Sequence, residues 1–128
     1  MKSVVLCGSR KYKKEVFELA RRLEKAGIVV FKPIMNTNTK IMDLGEDLKR
    51  FAFLGLTWHH LEFIRKADVV FIYNKDGYMG VSSTLEMGAA AVLGKPIYAL
   101  EKDPNEPVRD VLIDKEVKSV TELIKLLK

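Results

Sequence analysis

Disulfide chemistry is the first thing this sequence lacks. Its 128 residues include one cysteine, Cys7, which cannot form an internal disulfide, and no Cys/His cluster has zinc-ligand spacing. A secreted, disulfide-stapled scaffold and a zinc ribbon are both excluded, no metal is expected, and a reducing cytoplasm fits best. Long apolar runs are missing too. None approaches the roughly 18 residues of a membrane helix, and the N-terminal run Val4 to Cys7 is too short for a signal peptide. No membrane partner is therefore expected. There is no Walker motif and no G-x-G-x-x-G after any strand-like segment, which argues against nucleoside triphosphate hydrolysis and the ordinary dinucleotide fingerprint. Neither charge sign dominates: 22 Lys and Arg stand against 17 Asp and Glu, a net +5. The basic residues are dispersed beside glutamates, whereas a nucleic-acid footprint requires clustering on one face. No nucleic-acid polymer is expected as a partner, although the surplus suits a small anionic ligand.

What is present, 48% hydrophobic and 30% charged residues, describes one globular domain over 1–128. Strand-like and helix-like segments alternate. Ser3 to Cys7 reads as a buried strand, and Lys11 to Lys25 as an amphipathic helix with Val16, Leu19, Ala20, Leu23 and Ala26 on one face and Gly27 as its stop. Ile28 to Phe31 follows as a second strand, then a polar stretch from Met35 to Asp43 as a loop. Leu44, Leu48, Phe51, Leu54, Trp58, Leu61 and Ile64 recur every three or four residues on one helix, or on two broken near Gly55, and core packing is their expected role. A strand from Val69 to Tyr73, a Gly-rich loop, a helix from about Thr84 to Leu93 and a strand from Ile97 to Leu100 come next. A short helix from Val108 to Ile113, a strand from Glu116 to Ser119 and a closing helix capped by Thr121 complete the order. This rhythm predicts an α/β, doubly wound, mostly parallel sheet of four to five strands with helices on both faces. Ligands of such sheets bind beyond the carboxyl ends of the strands, where strand order reverses.

The residues after the first and third strands are thus the candidates for chemistry. After the first come Gly8, Ser9 and Arg10, then Tyr12; the glycine permits close backbone approach, although a plain strand-to-helix turn with Ser9 as a cap explains the same residues. After the third come Asn74, Asp76, Gly77, Tyr78, Gly80, Ser82 and Ser83, the densest polar and glycine cluster in the chain. Hydroxyls and amides at a helix start there would receive a phosphate or sugar hydroxyl. Glu86, expected in the first turn, could attack a sugar anomeric carbon or stabilise an oxocarbenium-like transition state. Ser83-x-x-Glu86 also matches a capping box, which would make Glu86 a structural residue. Of the pair His59 and His60, one is expected at the surface and the other, taken as His60, on the crevice. Cys7 reads as a small buried hydrophobe, with no histidine near it in sequence.

Gly8-Ser9, Ala67-Asp68-Val69-Val70, the run from Gly77 to Ala90 that reads G-Y-x-G-x-S-x-x-x-E-x-G-x-A, and Gly94-Lys95-Pro96 together resemble the nucleoside 2-deoxyribosyltransferase-like family. The likeness extends in order along nearly the whole chain and is strongest over residues 67–96. It implies a flavodoxin-like fold and an enzyme acting at the N-glycosidic bond of a (deoxy)nucleoside or its 5′-monophosphate, by transfer or hydrolysis, with no cofactor. By the same resemblance Glu86 is the nucleophile, and Gly8, Ser9 and Tyr12 contact the substrate. Homodimers or higher homo-oligomers with sites completed by a neighbour are implied as well. The aspartate that transferases place six residues before the glutamate is here Gly80, leaving Asp76 or Asn74 to assist the base. The serines beside Arg10 suit a phosphate, which favours a nucleotide. Alternatives are a nucleotide-binding module of the same fold without catalysis, and a phosphoribohydrolase, against which the missing G-G-x-G-T run argues.

Overall fold

The computed structural model describes residues 1–35 and 41–128. Five strands, β1 (Val4–Gly8), β2 (Val30–Phe31), β3 (Val69–Tyr73), β4 (Ile97–Ala99) and β5 (Lys115–Glu116), form one sheet in the order β2-β1-β3-β4-β5. Every pairing is parallel, with Val4 opposite Val69 and Cys7 opposite Ile72 at the centre. The doubly wound α/β architecture expected from the alternating pattern is present, with strand order reversing between β1 and β3.

Successive side chains of a strand point to opposite faces, so the apolar run of β1 feeds two cores. Val4 and Leu6 join Val69 and Phe71 under α1 (Lys13–Lys25) and α5 (Val120–Leu127). Val5 and Cys7 join Val70 and Ile72 under α2 (Glu46–Lys66) and α3 (Val81–Val92). A fourth helix, α4 (Pro107–Asp110), is a single turn. The predicted α1 face buries Val16, Ala20 and Leu23, and Gly27 and Gly94 both follow helices at positive φ. No helix among the described residues is long and apolar enough to cross a membrane.

Three expectations need correction. The stripe through α2 packs as core only at its end, where Ile64 is buried and Leu61 packs beside it; Leu48 (63% exposed), Phe51 (76%), Leu54 (52%) and Trp58 (64%) face outward, and His60 is the other buried residue of that helix. At 1.5 Å per residue its 21 residues span about 31 Å. A five-residue strand spans about 17 Å, so the sheet cannot cover the whole helix. α3 begins at Val81 rather than Thr84, with Gly80 at its cap position and no side-chain cap. Ser83 therefore lies inside the first turn, Glu86 in the second, and the capping box does not form. α5 is capped by Ser119, whose Oγ accepts from the Glu122 N–H at 3.2 Å, not by Thr121. In the predicted loop from Met35 to Asp43, residues 36–40 lie outside the described residues, while Ile41–Asp43 form a 3-10 turn.

Candidate active site

A cleft of about 390 Å³ opens beyond the carboxyl end of β1, between the start of α3 and the inner side of α2. Gly8, Ser9 and Arg10 line it from the β1 turn; Gly80, Val81, Ser82, Ser83 and Glu86 from α3 and its approach; Phe53, Thr57, His59 and His60 from α2. Ser9 turns the chain, its Oγ accepting from the Lys11 N–H at 3.2 Å. At the start of α3 the first N–H groups precede any intrahelical acceptor, and the Thr84 N–H is the first with an acceptor among the described residues, the Gly80 carbonyl at 3.0 Å. Hence the N–H groups of Val81, Ser82 and Ser83 lie at the positive end of the α3 dipole, a receptor for an anion.

Glu86 stands at the inner wall. Its carboxylate Oε2 is 3.6 Å from Nε2 of His60, and that nitrogen is 3.4 Å from the Cys7 sulfur. Burial pushes the Glu86 carboxyl up to about 7, only partly opposed by the Cys7 thiol. The same burial, reinforced by neighbouring His59, holds His60 down at about 4, so its imidazole is neutral at neutral pH. Burial and the facing Glu86 push the Cys7 thiol well above its ordinary value. Nδ1 of His60 is buried with no hydrogen-bond partner among the described residues.

Eight residues expected from the sequence thus meet in one cleft: Gly8, Ser9, Arg10, His60, Gly80, Ser82, Ser83 and Glu86. Five others do not line it. Asn74 is buried and spends its amide on the loop that follows β4, Nδ2 donating to the Glu101 carbonyl at 2.8 Å and Oδ1 accepting from the Glu101 N–H at 3.0 Å. Asp76 occupies an exposed left-handed turn at φ 59, its N–H donating to the Glu101 carboxylate. Gly77, at φ 72, fits against Pro104, which a Cβ would approach to 2.9 Å. Tyr12 is buried, its hydroxyl donating to the Lys75 carbonyl at 2.9 Å, and Tyr78 packs edge-on against it. Their polar groups hold the loop between β3 and α3 in place.

The sequence reading missed two features. His59 lines the cleft beside His60, its ring edge-on to Phe63 at 4.3 Å. Cys7 has a histidine neighbour that sequence distance concealed; the signal was its place at the end of the central strand, next to the crossover that forms the cleft.

No protein-family model and no curated protein matches the chain. Among solved structures, it is similar to a 2-deoxyribosyltransferase of the psychrotolerant bacterium Bacillus psychrosaccharolyticus, with a TM-score of 0.70 and 20% identity over 95% of this chain and 90% of that one. It is also similar to a conserved protein of Enterococcus faecalis V583, with a TM-score of 0.58 and 18% identity over 98% and 96% of the two chains. At these identities the likeness is one of fold: the chain has a nucleoside 2-deoxyribosyltransferase-like fold.

Proposed function

We propose that this protein cleaves or transfers at the N-glycosidic bond of a deoxynucleoside 5′-monophosphate, with Glu86 as nucleophile. The observation that carries the reading is a largely buried carboxyl on the wall of a cleft lined also by a basic side chain, two serines and a helix N-terminus. In this reading Arg10, Ser82, Ser83 and the first amides of α3 hold the phosphate, and Gly8 and Ser9 admit the sugar. A Glu86 oxygen attacks the anomeric carbon as the bond to the base nitrogen breaks, and the base leaves with the bonding pair. Water or an acceptor base then displaces Glu86 from the glycosyl ester. Glu86 is the sole carboxylate among the described residues lining the cleft. The departing base therefore takes its proton from His59, in place of the aspartate that Gly80 replaces, or from water.

The outward apolar face of α2 supports a second element of the proposal, a homodimer. Trp58 and Leu61 of α2 border a groove with Gly88, Ala89 and Val92 of α3 and with Leu93 just past its end, the Glu62–Arg65 ion pair at its side, and Phe51 and Leu54 extend the apolar surface. A contiguous apolar patch of this kind marks an association surface. Paired through it, two copies would cover each other's Trp58.

Incubation with the deoxynucleoside 5′-monophosphates, with and without an acceptor base, tests the reaction. Free base or an exchanged nucleoside is expected, and Glu86→Gln should abolish it while leaving the thermal midpoint unchanged or higher, since it removes a buried acid. Turnover that survives Glu86→Gln overturns the assigned nucleophile. Nucleotide binding without turnover selects a binding module instead.

A further inference from the structure

Cys7, His60 and Glu86 come from β1, α2 and α3, and their donor atoms all lie within 4.8 Å of one another. Zinc bonds of about 2.3 Å to sulfur and about 2.0–2.2 Å to nitrogen or oxygen, at tetrahedral angles, place neighbouring donors about 3.4–3.6 Å apart. The Cys7 sulfur and His60 Nε2 are 3.4 Å apart, and His60 Nε2 and Glu86 Oε2 are 3.6 Å apart. The ring thus turns one nitrogen toward both other donors. The geometry points to a three-ligand site for a borderline-soft divalent ion of the zinc class, formed by Cys7 Sγ, His60 Nε2 and Glu86 Oε2, with His60 and Glu86 on the cleft wall and Cys7 buried behind them.

The electrostatics agree with the geometry. Burial keeps both the Cys7 thiol and the Glu86 carboxyl from ionising readily, and the facing Glu86 adds to the effect on the thiol; a dication reverses that balance by stabilising both anions. On binding, the Cys7 thiol and the protonated fraction of Glu86 release their protons to solvent, two anionic donors and one neutral imidazole complete the ligand set, and no electron is transferred. Hard ions such as magnesium, which favour oxygen donors in octahedral arrays, do not suit this set. A metal-bound His60 carries its remaining proton on Nδ1, which has no acceptor among the described residues. Such outer partners are commonly worth about 10- to 100-fold in metal affinity. The site is accordingly one of reversible occupancy rather than a resident structural zinc. In the proposed reaction Glu86 is the nucleophile, so a metal there acts as an inhibitor; this consequence alone rests on the proposed function.

Cobalt(II) titration of chelator-treated, metal-free protein tests the site, because the chain's one cysteine makes any thiolate-to-cobalt charge-transfer band a report on Cys7. One equivalent is expected to produce that band together with tetrahedral d–d absorption, and zinc should quench both while excess magnesium leaves them unchanged. Cys7→Ser should remove the band, and His60→Gln and Glu86→Gln should each weaken binding about 10-fold or more. Circular dichroism identifies any variant that has not folded; the remaining two then decide. Absence of the band in the folded wild-type protein, or a band unchanged in folded His60→Gln and Glu86→Gln, overturns the site. The spectroscopic result does not depend on turnover. If metal-free protein releases no base but the band forms, the proposed reaction fails and the site stands; if base is released but no band forms, the reverse holds.

Discussion

His60 and Glu86 face each other across the wall of the cleft, Nε2 of one 3.6 Å from Oε2 of the other, on helices that cross the same face of the sheet. The imidazole is neutral because its burial opposes a positive charge, so the contact is not an ion pair at neutral pH. It places a ring edge against the carboxyl and limits where Glu86 can point. The cost is visible at the other end of the ring, where Nδ1 is buried without a partner.

That cost leads to a stability–activity trade-off at His60. An unsatisfied buried polar atom costs about 1–3 kcal/mol, and leucine fills a similar volume without one. His60→Leu is expected to raise the thermal midpoint by a few degrees, corresponding to about 1 kcal/mol for a domain of this size. It should also lower the rate of base release about 10- to 100-fold, as small displacements of a reacting group do. Calorimetry and a base-release assay check both. A lower midpoint together with unchanged activity would show that the ring is needed for packing and not for Glu86.

His59 carries a separate prediction. It lines the cleft, and general acid assistance to a leaving group contributes about 10²- to 10⁴-fold. His59→Ala is expected to slow release of natural bases by about 100-fold, with kcat falling and KM little changed. With an activated leaving group that departs as a stable anion, the loss should nearly vanish. An equal loss on both substrates would assign His59 to binding rather than to proton transfer.

The charged segment between β4 and α4 is organised around Asp103 and Arg109. Asp103 accepts from the N–H groups of Asn105 and Glu106, each at 3.0 Å, and from Arg109 Nε at 2.6 Å, while Arg109 also donates to Thr84 in α3 at 3.2 Å. Burial by itself raises the Asp103 carboxyl, but the guanidinium and the backbone donors outweigh it and leave it below the ordinary aspartate value. A lowered folded pKa stabilises the protein above the unfolded pKa, and that contribution is lost as pH falls through the folded one. Asp103→Asn is thus expected to cost about 2 kcal/mol near neutral pH. The difference from wild type should narrow in urea melts near pH 3, and a gap independent of pH would assign the loss to shape alone.

Local signals carried most of the fold. β1 and β3 read correctly because a short β-rich run buried on both faces is specific to parallel sheets, and Gly27 and Gly94 marked helix ends by the left-handed backbone they adopt. The start of α3 misread because Ser83 and Glu86 have capping-box spacing, while Gly80, in an extended conformation with no side chain to offer, takes the cap position. Cys7 and His60 touch across 53 positions, a contact that no short-range pattern encodes. The α2 stripe was a true periodicity whose core inference held only for Leu61 and Ile64: spacing reports that residues share a face, not what covers that face.

What covers it gives the last prediction. Trp58, 64% exposed, borders the apolar groove between α2 and α3, and Phe51 and Leu54 extend the same surface. If a second copy packs there, Trp58 is a central anchor of the kind whose truncation costs about 2 kcal/mol or more in association. A carboxylate at that position adds the penalty of burying an unpaired charge. Sedimentation velocity should find wild-type protein dimeric and Trp58→Glu monomeric at the same concentration. Circular dichroism should be unchanged, because the side chain contributes little to either core. In the dimer, Trp58 fluorescence should be blue-shifted and poorly quenched by iodide, and dilution should reverse both. A wild-type monomer at high concentration, with fully quenchable Trp58, would remove the dimer from the proposal and leave the cleft residues of a single chain to account for the whole site.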